Sequence, residues 1–216
     1  MQKDFWLSRW HNNEIGFHNN DVNPLLVEYL PRLSLPSSSR LLLPLCGKSR
    51  DIAWLLSEGF AVLGVELSEL AVTQLFAELN LTPSLEQKPH CKIFSAENLI
   101  ILVADIFELR AADIGAVDGI YDRAALVALP PDMRGRYAKH LADISRCPPQ
   151  LLVSFDYRQA AMPGPPFSVP EAELKRLYSG RYQLQRLASS ALEGGLKGKC
   201  EALEQVWLLQ PKRETR

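Results

Sequence analysis

Arg40-Leu-Leu-Leu-Pro-Leu-Cys-Gly-Lys-Ser-Arg-Asp-Ile-Ala-Trp-Leu-Leu-Ser-Glu-Gly-Phe-Ala-Val-Leu-Gly-Val-Glu66 contains a whole strand–helix–strand unit. Its first run, Arg40 to Cys46, is almost continuously apolar, as a strand covered on both faces must be. Ser49 to Glu58 then carries Ile52, Leu55 and Leu56 on one helical face and stops at Gly59. Ala61 to Leu67 is a second apolar run. Further runs follow at Asn98–Asp105, Val117–Arg123, Gln150–Asp156, Tyr182–Ala188 and Leu203–Gln210. Between them lie helical patterns. Ser68 is placed to cap one that reaches about Leu79, Pro131 suits the first turn of one over Asp132–Ser145, and Ser168 to Glu171 reads as a capping box for one ending near Ser179. Alternating strands and helices predict an α/β fold with a parallel sheet and helices on both faces. Residues 188–202 supply only a loop, so the last two of the seven expected strands form an antiparallel hairpin at one edge.

The composition narrows the class. The chain has 216 residues, 47% of them hydrophobic and 23% charged, enough for a full core in one domain without disulfide or metal. Lys plus Arg number 24 against 25 acids, a formal charge of -1, which gives no electrostatic pull toward nucleic acid or anionic membrane. No stretch approaches the roughly 18 apolar residues of a membrane span, and Met1–Trp10 lacks the apolar run of a signal peptide. Cys46, Cys91, Cys147 and Cys200 are widely separated, and His11, His18, His90 and His140 have no ligand spacing. Reduced thiols, a cytosolic location and no metal are therefore expected.

In open α/β sheets ligands sit at the carboxyl ends of the strands. Gly47 stands where the first strand turns into its helix, but the dinucleotide fingerprint, the phosphate-loop lysine pattern and the hydrolase nucleophile elbow are all absent. Gly47 serves either the turn itself or the close approach of a ligand. Glu66 ends the second strand nineteen residues later, the spacing at which such folds hold a ribose, and a carboxylate matches a vicinal diol. Asp105 ends the third strand and either accepts from an adenine amino group or caps the turn after it. Asp122-Arg123 ends the fourth, facing a ligand or closing a salt bridge. Trp6 and Trp10, four apart, share a face if helical. With Phe17 they either pack on the sheet or form an apolar lid suited to a flat ligand or a sulfonium. Pro163-Gly-Pro-Pro-Phe167 is a stiff loop that either borders the substrate mouth or merely connects.

Five motifs in this order resemble the thiopurine S-methyltransferases, in particular their bacterial members. They are Trp6-x-x-x-Trp10 with Gly16-Phe17-His18, Pro44-Leu-Cys-Gly-Lys48, Gly64-Val-Glu-Leu-Ser-Glu69, Asp122-Arg-Ala-Ala-Leu-Val127, and Pro163-Gly-Pro-Pro-Phe-x-Val169. The resemblance implies the class I fold of methyltransferases that use S-adenosyl-L-methionine and release S-adenosyl-L-homocysteine. It implies a single domain over 1–216, with residues 1–22 as a lid over the site. Trp10, Trp6, Leu45 (through its backbone), Gly47, Glu66, Asp105 and Ile106 are then cofactor-binding residues. Arg123 serves both cofactor and acceptor as the catalytic residue, and Phe17 lines the acceptor pocket. The expected reaction is methyl transfer to the sulfur of aromatic or heterocyclic thiols by a cytoplasmic monomer, with no general base assigned. The alternatives are an enzyme of the same fold acting on selenium or tellurium species, and a non-catalytic S-adenosylmethionine-binding protein. The glycine-rich stretch Leu192–Cys200, with Lys197 and Lys199, departs from the family pattern and leaves the acceptor preference open.

Overall fold

A computed structural model describes residues 3–16 and 18–212. The chain begins with helices α1 (Lys3–His11) and α2 (Pro24–Tyr29) and continues through β1 (Arg40–Pro44), α3 (Arg50–Ser57), β2 (Ala61–Glu66) and α4 (Glu69–Glu78). Then come β3 (Ser84–Gln87), β4 (Lys92–Ala96), β5 (Leu99–Val103), the short helix α5 (Ala111–Ile114), β6 (Gly119–Asp122) and α6 (Pro131–Ser145). The chain ends with β7 (Gln150–Asp156), α7 (Glu171–Tyr178), β8 (Tyr182–Ala191) and β9 (Leu203–Pro211).

The nine strands of the described residues belong to one sheet in the order β3-β4-β5-β2-β1-β6-β7-β9-β8. β5, β2, β1, β6 and β7 run parallel, and β9 and β8 close one edge antiparallel. The seven expected strands all form. The two additional strands, β3 and β4, make an antiparallel hairpin on the opposite edge. Neither is an apolar run. Every β3 residue is exposed, and Phe94 is the one buried residue of β4, so a search for buried strands passes over both.

Alternation along the strands sends side chains to two helical layers. Leu42, Leu63 and Val65 face Tyr137, Leu141, Leu174 and Tyr178 of α6 and α7. Leu41, Leu43 and Val62 face Leu26, Ile52, Leu55, Val72 and Leu75 of α2, α3 and α4. Ser49 caps α3 through the Asp51 N–H, and Ser68 caps α4 through the Ala71 N–H. The expected capping box at Ser168 does not form. Pro170 occupies the cap position of α7 with φ -70° and ψ 164°, because the residue before a proline is pushed out of helical geometry and delays the start. The Ser168 hydroxyl accepts instead from the Tyr157 N–H at 3.0 Å. Among the described residues no helix is long and apolar enough to cross a membrane.

Candidate active site

The chain order reverses at β1: β2 and β5 lie on one side of it, β6 and β7 on the other. Beyond the carboxyl ends of β1 and β6, at the switch point where open sheets bind ligands, lies a cavity of about 780 Å³. Trp6, Trp10, Leu45, Gly47, Glu66, Asp105, Ile106 and Arg123 all line it. Phe17, the expected acceptor-pocket residue, lies outside the described residues; its neighbours Gly16 and His18 line the cavity.

Glu66 is 5% exposed, and its oxygens are held from below. One accepts from the Gly47 N–H and the other from the Ser68 N–H, both at 2.8 Å. Burial raises its pKa, and the backbone N–H groups of Ser68, Gly47 and Leu67 oppose that rise. A carboxylate offers about four lone-pair directions, more than the two 2.8 Å bonds use, so acceptor capacity remains for a ligand's hydroxyl. Two non-glycine residues at neighbouring strand ends hold left-handed backbone, Leu45 at φ +49° after β1 and Ala124 at φ +62° after β6. Such conformations persist where surrounding structure enforces them, and they cluster at ligand sites.

The N-terminal helix bridges the mouth between the ends of β5 and β1. The Lys3 ammonium lies 3.1 Å from Asp105 and 2.7 Å from Glu108. At the other end Trp10 is buried against Gly47, whose φ is +53° and whose missing Cβ would sit 2.9 Å from the indole. Both readings of Gly47 thus have an occupant, the turn and a close approach, but the approaching group is Trp10. Asp105 caps its turn through the Phe107 N–H at 3.0 Å while also holding Lys3.

Arg123 follows β6 with a side chain 17% exposed, 4.0 Å from Asp51. Asp51 is itself committed, accepting from the Asn23 N–H at 2.8 Å and the Tyr121 hydroxyl at 3.2 Å. Arg123 therefore both faces the cavity and leans on a buried acid. Its neighbour Asp122 points to the opposite layer, where Tyr137 and the Leu126 N–H donate to it and burial lifts its pKa to about 6. The Pro163–Pro166 loop borders the cavity, as does the glycine-rich stretch with Leu192, Lys197 and Lys199. Lys197 donates to the Pro165 carbonyl at 2.9 Å, tying these two walls together.

Sequence reasoning assigned no role to several wall residues, among them Asp51, His18 and Glu204. His18 stood in the Gly16-Phe17-His18 motif without a role of its own, and Asp51 gave no signal beyond its residue type. Glu204 had one: β9 runs antiparallel to β7, with Glu204 opposite Phe155, so the first residues of the last strand return to the ligand edge. Among the described residues no three His, Cys, Asp or Glu side chains gather as metal ligands would.

A parallel core with an antiparallel closing hairpin, and an acid at the end of the second strand beneath a switch-point cavity, define the class I methyltransferases that use S-adenosylmethionine. The fold is similar to that of the 1,6-didemethyltoxoflavin-N1-methyltransferase of Burkholderia thailandensis, solved with S-adenosylhomocysteine (TM-score 0.65, 17% identity, 96% of this chain and 87% of that one). It is equally similar to the magnesium protoporphyrin IX methyltransferase of Synechocystis PCC 6803 (TM-score 0.65, 13% identity, 96% and 99%). The family model for thiopurine S-methyltransferase matches residues 1–211. Relatives bearing that name are 50% identical in Xanthobacter autotrophicus (97% of this chain, 99% of the relative) and 51% identical in Teredinibacter turnerae (97% of each). The chain belongs to the thiopurine S-methyltransferase family, and it is an enzyme whose cofactor is S-adenosylmethionine.

Proposed function

We propose that this enzyme methylates the sulfur of aromatic and heterocyclic thiols or thiones, thiopurines among them. The observation that carries the reading is one cavity with two chemically distinct ends: a buried carboxylate with free acceptor positions at Glu66, and the guanidinium of Arg123 across the switch point. Its volume, about 780 Å³, falls within the roughly 300–1,000 Å³ range of small-molecule sites. Relatives about half identical in sequence carry the corresponding name.

When bound, S-adenosylmethionine supplies an electrophilic methyl group on a sulfonium. In this reading Glu66 binds the ribose hydroxyls and the backbone around Leu45 and Gly47 meets the methionine end. Asp105 and Ile106 flank the adenine, with Trp10 and Trp6 covering the site. Arg123 steadies a sulfur of anionic character, and Phe17 belongs to the acceptor pocket. The chain's contribution is orientation and exclusion of water, which supplies much of the rate in reactions between two held partners. Residues 1–22 act as a lid, anchored by Lys3 on Asp105 and Glu108 and by Trp10 on Gly47. The enzyme acts as a single-domain cytoplasmic monomer on small molecules, with neither nucleic acid nor membrane as partner.

The test is a panel of aromatic, heterocyclic and aliphatic thiols, each incubated with S-adenosylmethionine while S-adenosylhomocysteine release is followed. Turnover concentrated among aromatic and heterocyclic thiols is expected. A panel with no turnover, or with turnover only on aliphatic thiols, would reject the proposal.

A further inference from the structure

Five carboxylates line the cavity, and four are already engaged. Glu14 pairs with Arg9 at 3.3 Å, Glu66 takes two backbone N–H groups, and Asp105 holds Lys3 and its own turn. Asp51, 1% exposed, takes the Asn23 N–H and the Tyr121 hydroxyl. Glu204 is the exception: among the described residues its carboxylate makes no hydrogen bond and no ion pair.

Its place follows from the topology. β9 pairs antiparallel with β7, so its second residue lies level with Phe155 near the carboxyl end of that strand. Val206 and Leu208 alternate from Glu204 onto the face that carries Tyr121 and Val153, and Arg123 continues this row from Tyr121 on β6. Arg123 and Glu204 both line the cavity, with β7 between the strands they come from. The charged and titratable groups facing Glu204 are Tyr121 on β6 and Arg123 just beyond it, with Asp51 of α3 behind them. The partners directly opposite it, Phe155 on β7 and Ser190 on β8, carry no charge.

We propose that Glu204 is the general base that takes the acceptor's proton during methyl transfer; this rests on the aromatic-thiol reading above. As the acceptor sulfur gains the methyl carbon, the bond from that carbon to the sulfonium breaks and its electron pair stays on the donor sulfur. The proton leaving the acceptor's S–H, or the ring N–H of a thione, passes to the Glu204 carboxylate. Arg123 holds the sulfur side of the same acceptor, so anion and proton are drawn apart by a cation and a carboxylate on one wall. Burial pushes the Glu204 carboxyl above its ordinary value, with Arg123 opposing, which makes it a stronger base than an exposed glutamate. His18 also lines the cavity, but burial and the charge of Lys48 lower its pKa and weaken it as a base.

The experiment compares the wild type, Glu204→Gln and Glu204→Asp in two readouts across pH: acceptor affinity for the S-adenosylhomocysteine complex, and turnover with S-adenosylmethionine. At about pH 6 the acceptor arrives protonated, and Glu204→Gln should bind it at least about tenfold more weakly and turn over about 100-fold more slowly, within the span of general-base effects. At about pH 9, where an acidic thiol has ionised in solution, affinity should equal or exceed that of the wild type and turnover should recover. An equal loss at both pH values, or none, would overturn the inference. Should Glu204→Gln fail to fold, Glu204→Asp decides: an acid-side loss that recovers in base supports the inference, and a loss independent of pH overturns it. A wild type that neither binds nor methylates any aromatic thiol would overturn the acceptor reading itself. A wild type that does both, with an unaltered Glu204→Gln profile, overturns only the role of Glu204.

Discussion

Replacing Glu66 by glutamine keeps the side-chain shape and removes one acceptor oxygen. Both oxygens are in use, one on the Gly47 N–H and one on the Ser68 N–H, each at 2.8 Å. Glutamine can satisfy only one of these. Its amide N–H₂ must face the other donor in a site 5% exposed, which leaves a buried N–H unpaired and costs about 1–3 kcal/mol of stability. On the ligand side the ribose loses one charge-assisted hydrogen bond, about 1.5–3 kcal/mol, so affinity for S-adenosylhomocysteine should fall roughly 10- to 150-fold. Calorimetric titration gives the binding loss, and urea unfolding of the free protein gives the stability loss. Burial also raises the Glu66 pKa, so wild-type affinity should decline on acidification at a higher pH than an ordinary glutamate would impose. A folded Glu66→Gln protein with unchanged affinity would refute the ribose role, whatever its stability.

Gly47→Ala places a Cβ 2.9 Å from the Trp10 indole at φ +53°. It should lower the melting temperature and shift indole emission, whereas unchanged emission would contradict the packing of α1 on this turn. Arg123→Lys keeps the charge but loses the planar fork, so turnover should fall at least about tenfold while S-adenosylhomocysteine affinity falls less; normal turnover would remove Arg123 from the reaction. Burial raises Asp122 from 3.8 to about 6, so the native state holds its proton more tightly than the unfolded chain. The stability this residue contributes is fully present below pH 3.8 and is lost as pH rises through about 6, a change of about 3 kcal/mol. Asp122→Asn should flatten that part of the curve in urea unfolding across pH, and a curve with the wild-type slope would contradict the argument.

The central fold was legible because its strands are covered on both faces. Arg40–Cys46 and Ala61–Leu67 are apolar enough to mark β1 and β2 directly, and Ser49 and Ser68 mark the helix starts. The edge hairpin escaped because an exposed strand such as Ser84–Gln87 needs no apolar run. That Gly47 and Glu66 line one cavity could be read in advance because they belong to one continuous strand–helix–strand unit. The wall formed by Asp51 and Glu204 could not, because it is assembled from distant pieces. Asp51 joins Asn23 and Tyr121 from two other elements, and Glu204 reaches the site only through antiparallel pairing with β7. Asp105 showed two chemically reasonable uses, and its carboxylate serves the cap and Lys3 together. No local pattern distinguishes a glycine-rich connection from a wall, yet Leu192–Cys200 lies at the mouth with Lys197 on Pro165.

The proposed activity is the transfer of a methyl group to an acceptor sulfur. The direct measurement incubates purified protein with S-adenosylmethionine bearing an isotopically labelled methyl group and with a thiopurine such as mercaptopurine. The labelled carbon is then located in the product by nuclear magnetic resonance, and S-adenosylhomocysteine is quantified alongside it. The label is expected on sulfur, in equal amount to the S-adenosylhomocysteine formed. Label on a ring nitrogen, or donor that binds without any methyl leaving it, would contradict it.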